Sequence, residues 1–302
     1  MIDFQRLDIN RKAEYDAFLR QSGRGCEYSF TNLYIWGKQE VAMVGDSMVF
    51  FSQFNRTSVY PFPIIRGDAG QVLDTIIADA GQRGIRCRLT SMTDEDRALL
   101  ESLYPGRFSF HNDRDCYDYV YPIGALADLK GKKLQKKRNH LNRFRLLHPK
   151  CQTVVLTPDN LDLACRMAER WFEYRQRLDP DADFYLERKA LKRAFCRFRE
   201  LELEGVVLLE GDDVIAMTMG SRLSGDTFDV HFEKAREDVD GAYVAINNAF
   251  ACYLREKYPE LRYLNREDDM GIPGLRKAKL SYYPEYLVEK SWAKLLEEDD
   301  ED

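Results

Sequence analysis

The 302-residue chain contains no apolar run near the roughly 20 residues that a membrane-crossing helix needs. Its first residues, Met1 to Asn10, carry acids where a secretory leader is apolar, so the expected location is cytoplasmic. Histidine is scarce. His111, His140, His148 and His231 form no H-x-x-x-H pair, and no metal site is expected. The seven cysteines, Cys26, Cys87, Cys116, Cys151, Cys165, Cys196 and Cys252, include no C-x-x-C pair, which excludes a disulfide framework and leaves most of them as small buried apolar residues. No complete P-loop is present, which argues against an NTPase. Ser221 lies in Gly220-Ser221-Arg222 rather than in a nucleophile elbow, which argues against hydrolase chemistry.

What is there begins with charge. The net charge is −6, and the last six residues, 297–302, are all acidic, so the rest of the chain is balanced. That tail reads as a solvated, disordered end. Residues 130–150 hold nine Lys or Arg and no acid. Apolar residues make up 44%, enough for ordinary cores, and the length suggests two domains.

The pattern along the chain alternates strands and helices. A helix is expected over 11–20, a glycine break at Gly23 and Gly25, then an aromatic stretch with Tyr28, Phe30, Tyr34 and Trp36. Strands are expected at 40–45, 47–54 and 57–62, with Gly45-Asp46 turning the first hairpin. Helical spacing over 70–82, a strand at 86–90, a helix from Thr93 to Leu103 and strands at 107–111 and 116–121 complete the first half. A basic helix over 131–148, closed by Pro149, joins the halves. The second half shows a strand at 153–156, helices at 159–177 and 185–203, and a hairpin of 205–210 and 214–223 about Gly211. It continues with a strand at 227–234, a helix at 242–257, a strand at 261–264, a helix at 273–280 and a final strand at 284–292. The similar element order suggests two superposable halves. The domain boundaries expected are 1–129, a linker helix at 130–150, 151–296 with the site, and the tail 297–302.

The densest polar cluster runs from Asn265 to Ser281, just beyond a short apolar strand, where open α/β sheets place ligands. It offers Glu267, Asp268 and Asp269 as carboxylates and Arg266, Arg276, Lys277 and Lys279 as cations. A carboxylate beside cations can position and deprotonate an amine, and cations can neutralise a phosphate or an oxyanion. A charged surface loop is the plain alternative. The turn from Glu233 to Ala242 ends in Gly241 before a helix, a place where free N–H groups attract anions. Glu237, Asp238 and Asp240 oppose that role, and Asp240 is an ordinary N-cap in the alternative reading. On the basic segment, phosphate contact competes with a solvated helix, and Phe144 and His140 are candidates for stacking on a base.

Three strings carry a resemblance: Asp240-Gly-Ala-Tyr-Val-Ala-Ile-Asn247, the segment from Asn265 to Lys279, and the linker from Gly131 to Phe144. They resemble the C-terminal domain family of phosphatidylglycerol lysyltransferases, and the order from 205 to 292 looks like a GNAT-type acyltransferase domain. The resemblance implies an α/β (α+β) fold of tandem GNAT-like domains, with mixed central sheets flanked by helices, related to Fem-type aminoacyltransferases. It implies an acyl- or aminoacyl-transferase using charged tRNA, with acyl-CoA second, and no tightly bound cofactor. The acceptor would be a small molecule, peptide or lipid carrying an amine or hydroxyl. The chain departs from the acetyl-CoA pattern, because four residues separate Arg236 from Gly241-Ala242 and one glycine is missing.

Under this resemblance Glu233, Glu267 and Asp268 would orient or deprotonate the acceptor, and Tyr282 or Tyr283 would protonate a leaving group. Donor binding would fall to Arg236, Gly241, Ala242, Asn265, Gly274, Arg276, Lys277 and Lys279. Contacts to tRNA would come from Lys132, Lys133, Lys136, Lys137, Arg138 and Arg143. The rival expectation is a non-catalytic binding protein on the same fold, RNA binding included.

Overall fold

The computed structural model describes residues 1–21, 25–37, 39–54 and 57–297. Gly23 and the acidic tail beyond Glu297 lie outside the described residues. The chain forms two compact units, one of residues 1–118, 268–272 and 288–302, the other of residues 119–267 and 273–287. This division differs from the linear boundaries expected at 129 and 151, because segments near the end of the chain are shared out between the units.

The first unit contains β1 (Gln5–Arg6), α1 (Lys12–Leu19), α2 (Phe30–Trp36), β2 (Gln39–Val44), β3 (Ser47–Phe54) and β4 (Thr57–Pro61). It continues with α3 (Ala69–Gln82), β5 (Arg88–Met92), α4 (Asp94–Leu103) and β6 (Phe108–Asn112). The turn at Gly45, with φ +59°, closes the β2–β3 hairpin. Thr93 and Asp96 form a reciprocal capping box at the start of α4. The sheet order is β1-β2-β3-β4-β5-β14-β6, where β14 (Ser291–Leu295) comes from the end of the chain. Its core includes Phe50, Tyr60, Phe62, Leu73 and Ile76, all fully buried.

The second unit receives β7 (Asp118–Pro122), followed by α5 (Ile123–Asp128), α6 (Gln135–Leu147), β8 (Gln152–Val155), α7 (Leu161–Leu178) and α8 (Tyr185–Cys196). Then come β9 (Glu204–Glu210), β10 (Asp213–Arg222), β11 (Thr227–Ala235), α9 (Ala242–Lys257), β12 (Tyr263–Asn265), α10 (Pro273–Leu280) and β13 (Tyr286–Val288). Its sheet order, β8-β9-β10-β11-β12-β7-β13, repeats that of the first unit strand for strand. In each, five strands local to one half are followed by the seventh strand of the other half and then by the sixth strand of their own. The fourth and fifth strands pair in parallel in both units. The halves therefore share one topology, as the element order suggested. The single strand expected over 284–292 is two, interrupted where Lys290 turns inward to a buried position.

Helix α9 is the centre of the second core. Ala245, Ile246, Phe250, Ala251 and Leu254 are buried, and Phe250 meets Phe228 of β11 edge to face at 5.8 Å. Asn248 on the same helix donates to the carbonyls of Leu126 and Ala127, at 2.9 and 2.7 Å, and so satisfies the end of α5. Tyr243, in the first turn of α9, is exposed, and its hydroxyl accepts from the Trp171 indole at 2.9 Å.

Candidate functional site

Two features of β11 open a site in the second unit. Its parallel pairing with β12 covers only Thr227↔Tyr263, Phe228↔Leu264 and Asp229↔Asn265. Beyond that point the chain after β12 stays with β7, through Arg266 N to Tyr119 O at 3.0 Å and Tyr119 N to Glu267 O at 3.2 Å. The second feature is a bulge. Opposite β10 the register passes from Met219↔Phe232 to Gly220↔Val230, which leaves His231 as the extra residue. A Cβ on Gly220 would lie 1.9 Å from the Asp229 carbonyl oxygen, so only glycine fits against the bulge.

Side chains bridge the divergence. The His231 ring is held at both nitrogens, Nε2 to Ser221 Oγ at 2.8 Å and Nδ1 to Glu267 Oε1 at 3.1 Å, with Asp229 Oδ2 at 3.5 Å from Nδ1. Ser221 and Asp229 are buried, whereas the Glu267 side chain keeps 21% of its exposure and forms the accessible end of this chain of bonds. A second bridge joins Arg266 Nη2 to Glu233 Oε1 at 2.8 Å, and Asn247 Nδ2 donates to the other Glu233 oxygen at 3.2 Å. Glu233 is therefore neutralised and held, while Glu267 faces outward against an imidazole that can share its proton. Asp229, His231 and Glu267 also place ligand atoms within 4.8 Å of one another, close enough that they could hold a metal ion.

The turn carrying Glu267 is built with care. Glu267 adopts φ +56°, a left-handed conformation that a side chain enters only at a cost. Asn265 Oδ1 accepts from Glu267 N at 2.7 Å, and Lys279 Nζ donates to the carbonyls of Arg266 and Glu267 at 2.5 and 3.1 Å. Tyr121 OH in turn donates to the Lys279 carbonyl at 2.8 Å. Asn265 and Lys279, expected to bind a donor, are thus buried and shape the turn. Tyr282 is buried in edge-to-face contact with Tyr121 at 6.4 Å, and burial raises its phenol well above the ordinary tyrosine range. Tyr283 is exposed.

The remaining expected donor residues lie elsewhere. Gly241, at φ +83°, is itself the N-cap of α9 and has no side-chain capping bond. A Cβ there would meet the His140 carbonyl oxygen at 2.8 Å and Phe144 Cβ at 3.1 Å, so this glycine lets α6 approach the start of α9. Ala242 is buried beside it. Asp240 is not the cap. It pairs with Arg143 at 3.2 Å and His140 at 3.5 Å. Arg236 is bound to Asp213 and Asp238, and a nearby cavity is lined by Trp171, Tyr174 and Arg236. Gly274, Arg276 and Lys277 lie on α10, with Gly274 and Lys277 exposed. Asp268 belongs to the first unit, as does Asp269, which is buried against Arg114 at 3.4 Å.

The basic segment is divided by its contacts. Lys132, Lys133 and Lys136 are exposed. Arg138 donates to the Leu129 carbonyl at 2.5 Å and serves the end of α5. Phe144 is buried and stacked on His148 at 4.9 Å, which removes it as a platform for a base.

Sequence reasoning missed Ser221, Asp229 and His231. The signal was the alternation Asp229, His231, Glu233 in a strand otherwise rich in Phe and Val. It also missed a cluster in the first unit. There Lys290 Nζ lies 2.6 Å from both Asp118 Oδ1 and Glu27 Oε1, and 3.8 Å from Cys26 Sγ. Burial raises the Glu27 carboxyl, with Lys290 opposing it. Lys290 sits among the three groups that a cation would otherwise bridge. At the position matching the second unit's opening, the first unit has Phe62, Pro63 and Ile64, which are all buried.

The sequence model of the phosphatidylglycerol lysyltransferase C-terminal family matches residues 19–294. The chain belongs to that family. A conserved protein of unknown function from Bacteroides thetaiotaomicron is 37% identical, with a TM-score of 0.92 over 98% of this chain and all of that one. L-PGS from Bacillus licheniformis is 16% identical and has the same fold, with a TM-score of 0.68 over 94% of this chain and 91% of its own. An uncharacterised protein of Mycoplasmoides gallisepticum is 26% identical over 181 residues, 59% of this chain, and the match spans 56% of that relative's length. The fold is that of tandem GNAT-like domains, shared with a tandem GNAT protein of the clavulanic acid pathway and with FemX, each 9% identical, at TM-scores of 0.52 and 0.61. Among the described residues no helix is long and apolar enough to cross a membrane.

Proposed function

We propose that the second unit transfers an acyl group, in the first instance an aminoacyl group from charged tRNA, to an amine or hydroxyl acceptor. The observation that carries this reading is the bridge from Ser221 through His231 to Glu267 across the opening of β11 and β12. Glu267 takes the proton of the acceptor as its N or O attacks the donor ester carbonyl. The new acyl bond forms, the bond to the donor's ribose oxygen breaks, and that oxygen leaves with the proton. His231 positions Glu267 and shares its proton. Lys279 holds the backbone of Glu267 in place.

Charged tRNA is preferred over acyl-CoA because the α9 N-terminus is crowded by α6 at Gly241 and edged by Asp240. Lys132, Lys133 and Lys136 remain available on the surface for phosphate contacts. The experiment offers the protein either lysyl-tRNA or acetyl-CoA with an amine acceptor. Acceptor acylation from lysyl-tRNA supports the reading. Acylation from acetyl-CoA alone overturns the donor assignment, and acylation from neither favours the binding protein on the same fold.

A further inference from the structure

Arg266 and Lys137 both lie against the ring of Tyr282 in the second unit. Arg266 spends Nη2 on Glu233, while its buried Nη1 has no hydrogen-bond partner among the described residues. A buried guanidinium N–H without a partner is costly, and a ligand oxygen is the simplest group to satisfy it. Lys137, on α6, places Nζ 4.0 Å from the centre of the Tyr282 ring, and the Arg266 guanidinium carbon lies 5.0 Å from that same centre. The two cations are thus drawn to one aromatic ring, and among the described residues Lys137 forms no ion pair with an acid.

We infer that Lys137 and Arg266, gathered about the ring of Tyr282, form a binding site for a phosphate group carried by a substrate. Two cations, one of them with an unfilled planar donor, suit a compact oxyanion. The groups facing Lys137 agree with this. Burial first, then Arg266 and Lys136, hold its ammonium down to about 8, with only Glu233 acting in the opposite direction. Tyr282 and Tyr121 complete the surroundings, and their phenols are raised by burial and stay neutral. A bound anion would supply the missing negative charge. The inference concerns binding alone and holds whether or not Glu267 is the base.

The test is sulfate binding at fixed ionic strength, because sulfate keeps its charge between pH 7 and pH 9. Saturable binding is expected, about tenfold weaker in Lys137→Met, as for loss of one charge-assisted contact. Lys137→Arg retains it, and Lys150→Met, which removes a charge from the same basic stretch, leaves it unchanged. Binding to the wild type weakens at pH 9 as Lys137 loses its proton, and binding to Lys137→Met does not. Competition then separates the sources of the phosphate: a cytidylyl-adenosine dinucleotide for a tRNA end, glycerophosphoglycerol for a lipid headgroup. Displacement by either supports the site and names its source. Equal sulfate affinity in Lys137→Met and wild type, an equal loss in Lys150→Met, or displacement by neither diester overturns it. Glu267→Gln keeps its sulfate affinity, so failure of the catalytic reading is visible separately.

Discussion

Replacing Gly241 by alanine separates two roles for the start of α9. If the glycine only cradled a donor phosphate, the variant would lose donor binding and no more stability than its positive φ demands. The geometry predicts a larger loss of stability. Gly241 has φ +83°, and an alanine Cβ would lie 2.8 Å from the His140 carbonyl oxygen, a backbone atom that cannot swing aside. The left-handed conformation alone costs about 1–2 kcal/mol for an L-residue. Forcing α6 and α9 apart adds about 1–3 kcal/mol, typical of overpacking. Gly211 in the β9–β10 hairpin is the control, because it has φ +62° but nothing within 4 Å of its would-be Cβ. Gly211→Ala should therefore lose only the conformational part, about 1–2 kcal/mol. Urea unfolding of the two variants and the wild type measures the difference. Equal losses in the two variants would refute the close-packing argument, and an unperturbed Gly241→Ala would refute it outright.

Other perturbations reach the rest of the unit. Phe250→Ala removes a fully buried ring that packs on Phe228 and should cost about 3–5 kcal/mol in urea unfolding. Lys279→Met strips the donor from the Arg266 and Glu267 carbonyls, so turnover should fall more than stability, which the ratio of kcat to unfolding midpoint across variants would reveal. Lys137 has a folded-state value near 8, below its unfolded value of 10.5, so the unfolded chain binds more protons between those limits and stability rises with pH there. Lys137→Met should accordingly be more stable than the wild type at pH 7, with the gap closing as pH approaches 10.5, in paired denaturation curves.

Much of the fold was legible because its signals are local. The hairpin turns at Gly45 and Gly211, the capping residues of α4 and the spacing of α9 all lie within a few residues of what they determine. Helix α5 escaped because it is six residues long and begins directly after Pro122, too short to show a period. The split of the last strand was hidden for a different reason. Lys290 turns inward toward Asp118 and Glu27, partners more than 170 residues away in the sequence.

The site shows the same contrast. Glu267 stood out in a dense polar segment. His231 looked like one polar residue in an alternating strand, and its meaning depends on a bulge opposite Gly220 and on partners from β10 and the turn after β12. The segment 265–279 also read as one cluster, but Asp268 to Ile272 belong to the first unit. At Gly241 the sequence showed a glycine before a helix, which fits a phosphate cradle and a close helix contact equally well. Only the position of α6 decides between them.

The most direct test of the account is single-turnover transfer from lysyl-tRNA to an amine acceptor, comparing Glu267→Gln with the wild type. Glutamine keeps the size of the side chain and can still bond to His231, but it cannot take a proton. The account predicts a folded variant with the rate of acyl transfer lowered by about 10²–10⁴, the usual contribution of a positioned general base. Transfer at the wild-type rate by a folded Glu267→Gln protein would contradict it.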